Sequence, residues 1–264
     1  MLAITRQSQI KDIVLEKKSV TVTELSQRFS VTEETIRRDL KILESEGFLT
    51  RTYGGAFIQN GVNNSVDLSI RETTYLQSKQ SIASSCLKLI HNGDSIFLDS
   101  STTCLYIAKA IKEMRLTVVT NSLLIVNELC DNNNIHLVCI GGNYTPSDKA
   151  FNGFITQLNL ETLFFDKSFI SCRSLSIVNG ITDSLEQMAK VRQAIINRSE
   201  EVYVVADFSK FDKTSFIHIA NFDKISGIVT DRKLNDNWVD FLKSNNVAIY
   251  ESQSYQPENK SWNS

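Results

Sequence analysis

The run VTELSQRFSVTEETIRRDLKILESEGFLTRTYGGA, residues Val22–Ala56, decides how the first part of the chain folds. Thr23 is placed to cap a helix over Glu24–Phe29, where Leu25 and Phe29 fall at i, i+4. Ser30-Val31 is too short for anything but a turn. Thr32 caps a further helix reaching about Ser45, and Glu33 and Glu34 sit in its first turn, where the helix dipole favours negative charge. Gly47 is the expected helix stop. Phe48–Ile58 then places β-prone residues either side of Gly54-Gly55, the pattern of a hairpin. Upstream, Arg6–Lys17 carries Ile10, Ile13 and Val14 at helical spacing, with Thr5 as a cap, and Val20-Thr21-Val22 is a short β-like step. Residues 1–58 therefore read as three short helices and a hairpin.

The third helix has two different faces. Ile36, Leu40 and Leu43 share one, while Glu34, Arg37, Arg38, Lys41 and Ser45 lie on or near the other. In a helix-turn-helix the second helix of the pair enters the major groove and its N-terminal residues reach base edges. Arg can hold guanine through two hydrogen bonds, and Lys and Arg also hold phosphates. Arg51 and Tyr53 on the hairpin supply backbone or minor-groove contacts, and Gly54-Gly55 is expected to let the wing approach DNA without side-chain bulk. Charge alone leaves a plain solvated face as the alternative. Nine basic residues (Arg6, Lys11, Lys17, Lys18, Arg28, Arg37, Arg38, Lys41, Arg51) meet eight acidic ones within 1–58.

The whole chain of 264 residues is 42% hydrophobic and 22% charged with a net charge of −2, which excludes wholesale disorder and a general polycation. No apolar run approaches the ~18 residues of a membrane span. The start, MLAITRQSQIK, lacks the apolar core of a signal peptide, so a cytoplasmic location is expected. Five Cys without a CxxC pair read as small buried thiols, and three scattered His form no metal set. No cofactor, metal or catalytic residue is expected. Residues 59–74, opening with the Asn-rich QNGVNNSVDLSI, read as a linker, and 252–264 as a disordered tail. Between them, 75–251 alternates. Helices at Lys79–Ile90, Cys104–Lys112 and Leu123–Leu129 interleave with strands at Ser95–Asp99, Leu116–Thr120 and His136–Gly141. Later strands are expected at Lys167–Ser171, Val202–Ala206 and Ile225–Val229. That is the pattern of an α/β domain with a largely parallel sheet.

A second constellation follows the first of those strands. Ile96-Phe97-Leu98-Asp99 runs into Ser100, Ser101, Thr102 and Thr103 at a helix start. Ligands of open α/β sheets bind beyond the carboxyl ends of strands, and a helix N-terminus suits a phosphate. Asp99 would repel phosphate and fits sugar hydroxyls better. Thr120-Asn121-Ser122 and Gly141-Gly142 end the neighbouring strands. Ordinary helix caps and a Gly-Gly turn explain the same residues equally well.

The Val22–Ala56 run resembles the winged helix-turn-helix of DeoR-family bacterial transcription regulators, carried by ETIRRDL (Glu34–Leu40) and by Arg51–Ala56. Tyr53 stands where the family pattern has His. The resemblance implies DNA contact by Thr35, Arg37, Arg38, Arg51 and Tyr53, with Thr32, Glu34 and Lys41 completing the candidate face. NGDSIFLDSSTT (Asn92–Thr103), LTVVTNS (Leu116–Ser122), Gly141-Gly142, GIT (Gly180–Thr182), the Glu186/Lys190 pair, VADFSKF (Val204–Phe211) and VTD (Val229–Asp231) resemble the same family's C-terminal sensor domain. That domain is similar to sugar-phosphate isomerases such as ribose-5-phosphate isomerase, so a Rossmann-like sheet is implied. The resemblance implies an effector site of Asp99, Ser101, Thr102, Thr103, Asn121, Gly142, Glu186, Asp207 and Lys210, with Lys210 the counter-charge for phosphate. Two departures stand out: Ser101 replaces the loop glycine, and CRSLSIVNG (Cys172–Gly180) lacks the glycine usual after its strand.

The implied partners are double-stranded operator DNA, a phosphorylated sugar, and further copies of the chain as a dimer or tetramer. A single small wing reads little sequence, and paired copies read half-sites about 34 Å apart. An isomerase using Asp99 or Glu186 as base, and a DNA binder whose α/β domain only assembles, are the alternatives.

Overall fold

The computed structural model describes residues 2–17, 19–46, 48–57 and 68–252. The chain divides into two units, Met1–Leu76 and Gln77–Ser264. The first unit contains α1 (Ala3–Lys17), β1 (Ser19–Thr21), α2 (Val22–Phe29), α3 (Glu33–Ser45), β2 (Thr50–Thr52), β3 (Gly55–Phe57) and α4 (Leu68–Thr73). Ile10, Ile13 and Val14 of α1 meet Leu25 of α2 and Ile36, Leu40 and Leu43 of α3 in one apolar core. The strands form an antiparallel sheet in the order β1-β3-β2, so the helix-turn-helix is followed by a wing.

Thr32 caps α3 through its hydroxyl, which accepts from the Thr35 amide at 3.3 Å. The start of α2 differs from the sequence expectation. Val22 is buried in the core, which draws the helix back so that Thr21 rather than Thr23 caps it. Helix α1 likewise begins at Ala3, leaving Thr5 inside it. Ser30 closes α2 in the left-handed region at φ 52°. Gly47 and Ile58 lie outside the described residues, as do 59–67 of the expected linker. The rest of that linker is not one. Residues 68–73 are helical, Leu68 is buried, and Tyr75 donates from its amide and its hydroxyl to Asp12 of α1 at 3.1 and 3.3 Å.

The second unit opens with α5 (Leu76–Cys86), β4 (Ser95–Leu98), α6 (Thr102–Ala110), β5 (Leu116–Thr120), α7 (Leu123–Leu129) and β6 (Ile135–Cys139). A hairpin of β7 (Asn143–Thr145) and β8 (Ala150–Asn152) precedes α8 (Phe154–Leu160) and β9 (Phe165–Ile170). Then come β10 (Ser174–Ser176), β11 (Gly180–Asp183), α9 (Glu186–Ile196), β12 (Ser199–Val205), β13 (Ile217–Ala220), β14 (Gly227–Thr230), α10 (Asp236–Ser244) and β15 (Ala248–Glu251). Seven strands make one parallel sheet in the order β15-β14-β12-β9-β4-β5-β6. Alternating side chains fill opposite faces: Ile96 and Leu98 pack on one, Phe97 on the other. Both faces are covered, which is why the strands read as short apolar runs. The expected strand at Ile225–Val229 begins only at Gly227, because Ile225 closes a 3-10 turn over Phe222–Lys224. A second, antiparallel sheet of β10, β11 and β13 lies outside what the sequence pattern suggested. The expected tail beyond Ser252 lies outside the described residues.

From β4 the chain steps through β5 to β6 at one edge, then returns to β9 on the other side of β4. The order reverses between β4 and β9. Such a switch point leaves a crevice at the carboxyl ends of the two strands.

Candidate functional site

The outward face of α3 carries the first site. Among the nine basic residues counted in 1–58, five are held by carboxylates. Arg6 is buried and donates to Asp39 of α3 at 2.6 Å, with Gln7 on the other carboxylate oxygen at 2.9 Å. Lys11 pairs with Glu46 at 2.8 Å and Lys17 with Glu24. Arg37 pairs with Glu33 at 2.7 Å and lies 3.9 Å from Glu34. Arg51 is held by Glu44 through its side chain at 2.6 Å and its amide at 2.9 Å, and those hydrogen bonds keep the Glu44 carboxyl below its ordinary range. Arg38 and Lys41 remain exposed on α3, in no ion pair among the described residues. The near-neutral charge of the unit is thus sorted in space. Carboxylates are taken up around the periphery, and two cations stay free on the helix opposite Ile36, Leu40 and Leu43.

Thr35 lies beside them, 2.9 Å from the Thr32 hydroxyl, and Glu34 is exposed. Tyr53 at the wing tip is fully exposed. Gly55 does work beyond that expected. A Cβ on Gly55 would sit 2.0 Å from the Val20 carbonyl, so Gly55 permits β3 to pair with β1. Gly54 has open space around it.

The second site gathers at the carboxyl ends of the parallel strands. Asp99 follows β4, is 2% exposed, and both of its oxygens are taken. Oδ1 accepts from the Ser101 amide at 2.9 Å, and Oδ2 from the Ser171 amide and Arg192 Nε, each at 2.8 Å. Arg192, also buried, reaches Asp183 of β11 with Nη1. Burial alone would raise the Asp99 carboxyl. The Arg192 charge and the hydrogen bonds from Ser101 and Ser171 outweigh it and hold the group below the usual carboxylate range. The triad Asp99–Arg192–Asp183 therefore ties β4, β9, β11 and α9 together across the switch point. The expected role of Asp99 on sugar hydroxyls is corrected accordingly, since its lone pairs position the loop.

Ser101 stands where the family pattern has glycine, at an ordinary φ of −76°. Its hydroxyl caps α6 by accepting from the Cys104 amide at 3.1 Å. The substitution therefore adds a cap and no strain. Thr102 and Thr103 follow, both buried in the first turn, where helix amides lack partners of their own. Cys172, which opens the segment lacking the other expected glycine, is buried, and burial pushes its thiol up to about 12. Lys210 closes the 3-10 turn Phe208–Lys210 that follows β12, at the carboxyl edge of the parallel sheet. Asp207 is buried and accepts from the Ser209 amide at 3.0 Å, shaping the turn that presents Lys210. Burial, with a smaller push from Asp207, raises the Asp231 carboxyl.

Beyond β5 and β6 lies a third group. Asn121 donates to the Phe151 carbonyl at 2.9 Å, while its Oδ1 and that of Asn152 are buried with no hydrogen-bond partner among the described residues. Gly142 has φ +142°, and a Cβ there would meet Thr156 Oγ1 at 2.1 Å. Thr156 in turn donates to the Gly141 carbonyl at 2.8 Å. Buried acceptors without donors suit a hydroxyl-bearing ligand. Glu186 does not join the cluster. It is exposed at the start of α9 and paired with Lys190 at 2.7 Å. Sequence reasoning missed Arg192, Asp183, Asn152 and Asp39. A signal existed for two of them: Arg192 and Asp39 each interrupt the apolar stripe of a helix, which calls for a buried counter-charge. Of the thiols expected to be buried, Cys130 and Cys139 are exposed, and all five are free. No group of His, Cys, Asp or Glu among the described residues is arranged to hold a metal ion, and no helix there is long and apolar enough to cross a membrane.

Residues 6–61 match the DeoR-like helix-turn-helix domain, and residues 75–232 match the DeoR C terminal sensor domain. The chain is 39% identical to the uncharacterized HTH-type transcriptional regulator YulB of Bacillus subtilis (strain 168), over 94% of this chain and 96% of that one. It is 33% identical to the L-fucose operon activator of Haemophilus influenzae, covering 92% and 97%. The putative aga operon transcriptional repressor of Escherichia coli O157:H7 is 29% identical, covering 92% of each chain. Among solved structures, ribose 5-phosphate isomerase A from Methanocaldococcus jannaschii aligns with a TM-score of 0.38 at 15% identity, covering 50% of this chain and 53% of that one. The delta subunit of eIF2B from Chaetomium thermophilum aligns at 0.45 and 15%, covering 61% and 57%. With both of its units matched and full-length relatives among transcriptional regulators, the chain belongs to the DeoR family of helix-turn-helix transcriptional regulators.

Proposed function

We propose that this regulator, which is not an enzyme, represses genes of carbohydrate catabolism by seating α3 in the major groove of a double-stranded operator, and that a phosphorylated sugar relieves the repression. The observation that carries the DNA half is the pair Arg38 and Lys41, exposed on the face of α3 opposite its core and in no ion pair among the described residues. Arg38 reads a base edge, Lys41 holds phosphate, and Thr32, Glu34 and Thr35 line the helix start. Arg37 and Arg51 join by exchanging their exposed carboxylate partners for phosphates, since an exposed ion pair holds only ~0–1 kcal/mol. Tyr53 touches the backbone from the wing. A protein seated on promoter DNA obstructs transcription, which sets the proposed sign.

The effector half is supported by the placement of Ser101, Thr102 and Thr103 at the start of α6, with Lys210 as a cation in the turn after β12, at the same carboxyl edge of the sheet. These suit a phosphate. The acceptors of Asn121 and Asn152, beside Gly142, suit sugar hydroxyls. Asp99 acts as a positioning residue through Ser101, and Asp207 through the turn bearing Lys210. Operon regulators of L-fucose and aga among the relatives support a carbohydrate signal. A thermal-shift screen against sugar phosphates tests the pair of claims. A true effector at 100 times its dissociation constant adds about 2.7 kcal/mol to stability and releases operator DNA. A panel that neither stabilises the protein nor releases DNA contradicts the effector reading.

A further inference from the structure

Arg232 follows β14 by two residues, one place beyond the VTD string, at the carboxyl edge of the parallel sheet. Strand β14 neighbours β12, and the Arg232 side chain leans toward that strand. Its guanidinium carbon lies 3.3 Å from the ring centroid of Phe208, in the 3-10 turn that follows β12. The turn is itself fastened to the end of β14, because the Phe208 amide donates to Asp231 Oδ1 at 2.8 Å. Lys210 closes the same turn, two residues after the ring that supports Arg232. Both cations are therefore carried by one joined piece of backbone at the sheet edge.

An arginine lying on a phenylalanine can do no more than cover the ring. Here the Arg232 side chain is 53% exposed, and its carboxylate neighbour Asp231 is buried and stands 3.8 Å from Nε, outside hydrogen-bond distance. Stacking occupies the flat face of a guanidinium. It leaves the N–H donors, which lie in the plane, for an acceptor with two oxygens such as a phosphate. The other carboxylate of this turn, Asp207, is buried and accepts from the Ser209 amide at 3.0 Å. From this geometry we infer that Arg232 is a second cation of the effector site and grips, as a two-pronged donor, the phosphate that Lys210 attracts. Phe208 is the positioning residue that holds the guanidinium in place. A doubly charged phosphate then meets two cations, which favours it over a singly charged carboxylate. The inference rests on the effector reading proposed above and adds a residue to it.

The full chain is titrated with inorganic phosphate and with a panel of sugar phosphates at constant ionic strength, and binding is read from the rise in melting temperature. Arg232→Gln is expected to keep the wild-type melting temperature without ligand. It is expected to bind inorganic phosphate and the stabilising sugar phosphate about tenfold more weakly, the loss of one charge-assisted hydrogen bond. Arg232→Lys keeps the charge without the planar pair of donors and is expected to stay several-fold weaker than wild type. Phe208→Leu removes the stack and is expected to fall to the Arg232→Lys level, while Phe208→Tyr, which keeps a ring, binds as wild type does. Wild-type binding by Arg232→Gln or by Arg232→Lys overturns the inference and leaves the effector reading standing. A wild type that responds to none of these ligands overturns both.

Discussion

Two arginines mark the difference between the two units. Arg38 stands exposed on α3, in no ion pair among the described residues. Arg192 is buried in the sensor unit and bonded to Asp99 and Asp183. The first is a charge the fold leaves on the surface, as the proposed DNA contact requires. The second is consumed by the fold, and its removal would strand two buried carboxylates. The same residue type is thus left exposed in one place and spent on construction in the other, and burial with counter-charge separates them. Asp39 and Arg6 repeat the constructive pattern inside the winged unit. The charge count of that unit is thus a poor guide to its surface.

The largest expected effect is that of Arg192→Leu. It leaves Asp99 and Asp183 without a cation, and loss of one member of a buried ion pair costs about 3–5 kcal/mol. Urea unfolding followed by the fluorescence of Trp238, buried in the same unit, measures it. A change under 1 kcal/mol would place Arg192 with the surface arginines and erase the contrast. The same triad sets a pH dependence. The Asp99 carboxyl lies below its ordinary value in the folded state, so its contribution is complete above the unfolded pKa of ~3.9 and is lost as pH falls through the folded value. Wild type is expected to lose stability on acidification below about pH 4, and Asp99→Asn to be less stable at neutral pH with a flatter acid limb. Parallel acid limbs would show that Asp99 does not titrate against Arg192.

Lys41→Ala is expected to leave unfolding within about ±0.5 kcal/mol of wild type, as surface substitutions do. It should weaken binding to all duplexes alike and lower the slope of log affinity against log salt by about 1. An unchanged slope would remove Lys41 from the phosphate contacts. Ser101 sharpens the comparison at the smallest scale. Ser101→Ala should destabilise the sensor unit by about 1 kcal/mol through the lost cap, and Ser101→Gly by only a few tenths. A glycine variant as destabilised as the alanine one would mean that the hydroxyl does more than cap α6.

What the sequence made legible was local. The cap at Thr32 and the stripe Ile36, Leu40, Leu43 involve neighbours along one helix. Strand β5 at Leu116–Thr120 and helix α7 at Leu123–Leu129 were readable residue for residue. The triad was not, because Asp99 and Arg192 are remote in sequence and meet only when β4 and α9 pack. Strands β7, β8 and β10 hold three residues each, too few for a period to show. Helix α8 went unread, since the seven residues FITQLNL carry no charge to mark an outer face. For the candidate site, the loops at the strand ends were legible as positions. Which side chains build the loops and which remain for a ligand was decided by burial, as Asp99 and Glu186 illustrate in opposite directions.

The free cations of α3 are tested most directly by measuring Arg38→Ala against wild type on duplexes from the regulated promoter and on unrelated duplex, by fluorescence anisotropy at matched salt. Loss of about 1–3 kcal/mol on the operator, with binding to unrelated DNA much less affected, is the expected result for an arginine that reads a base. Equal affinity of variant and wild type for the operator would mean that α3 does not read DNA through Arg38.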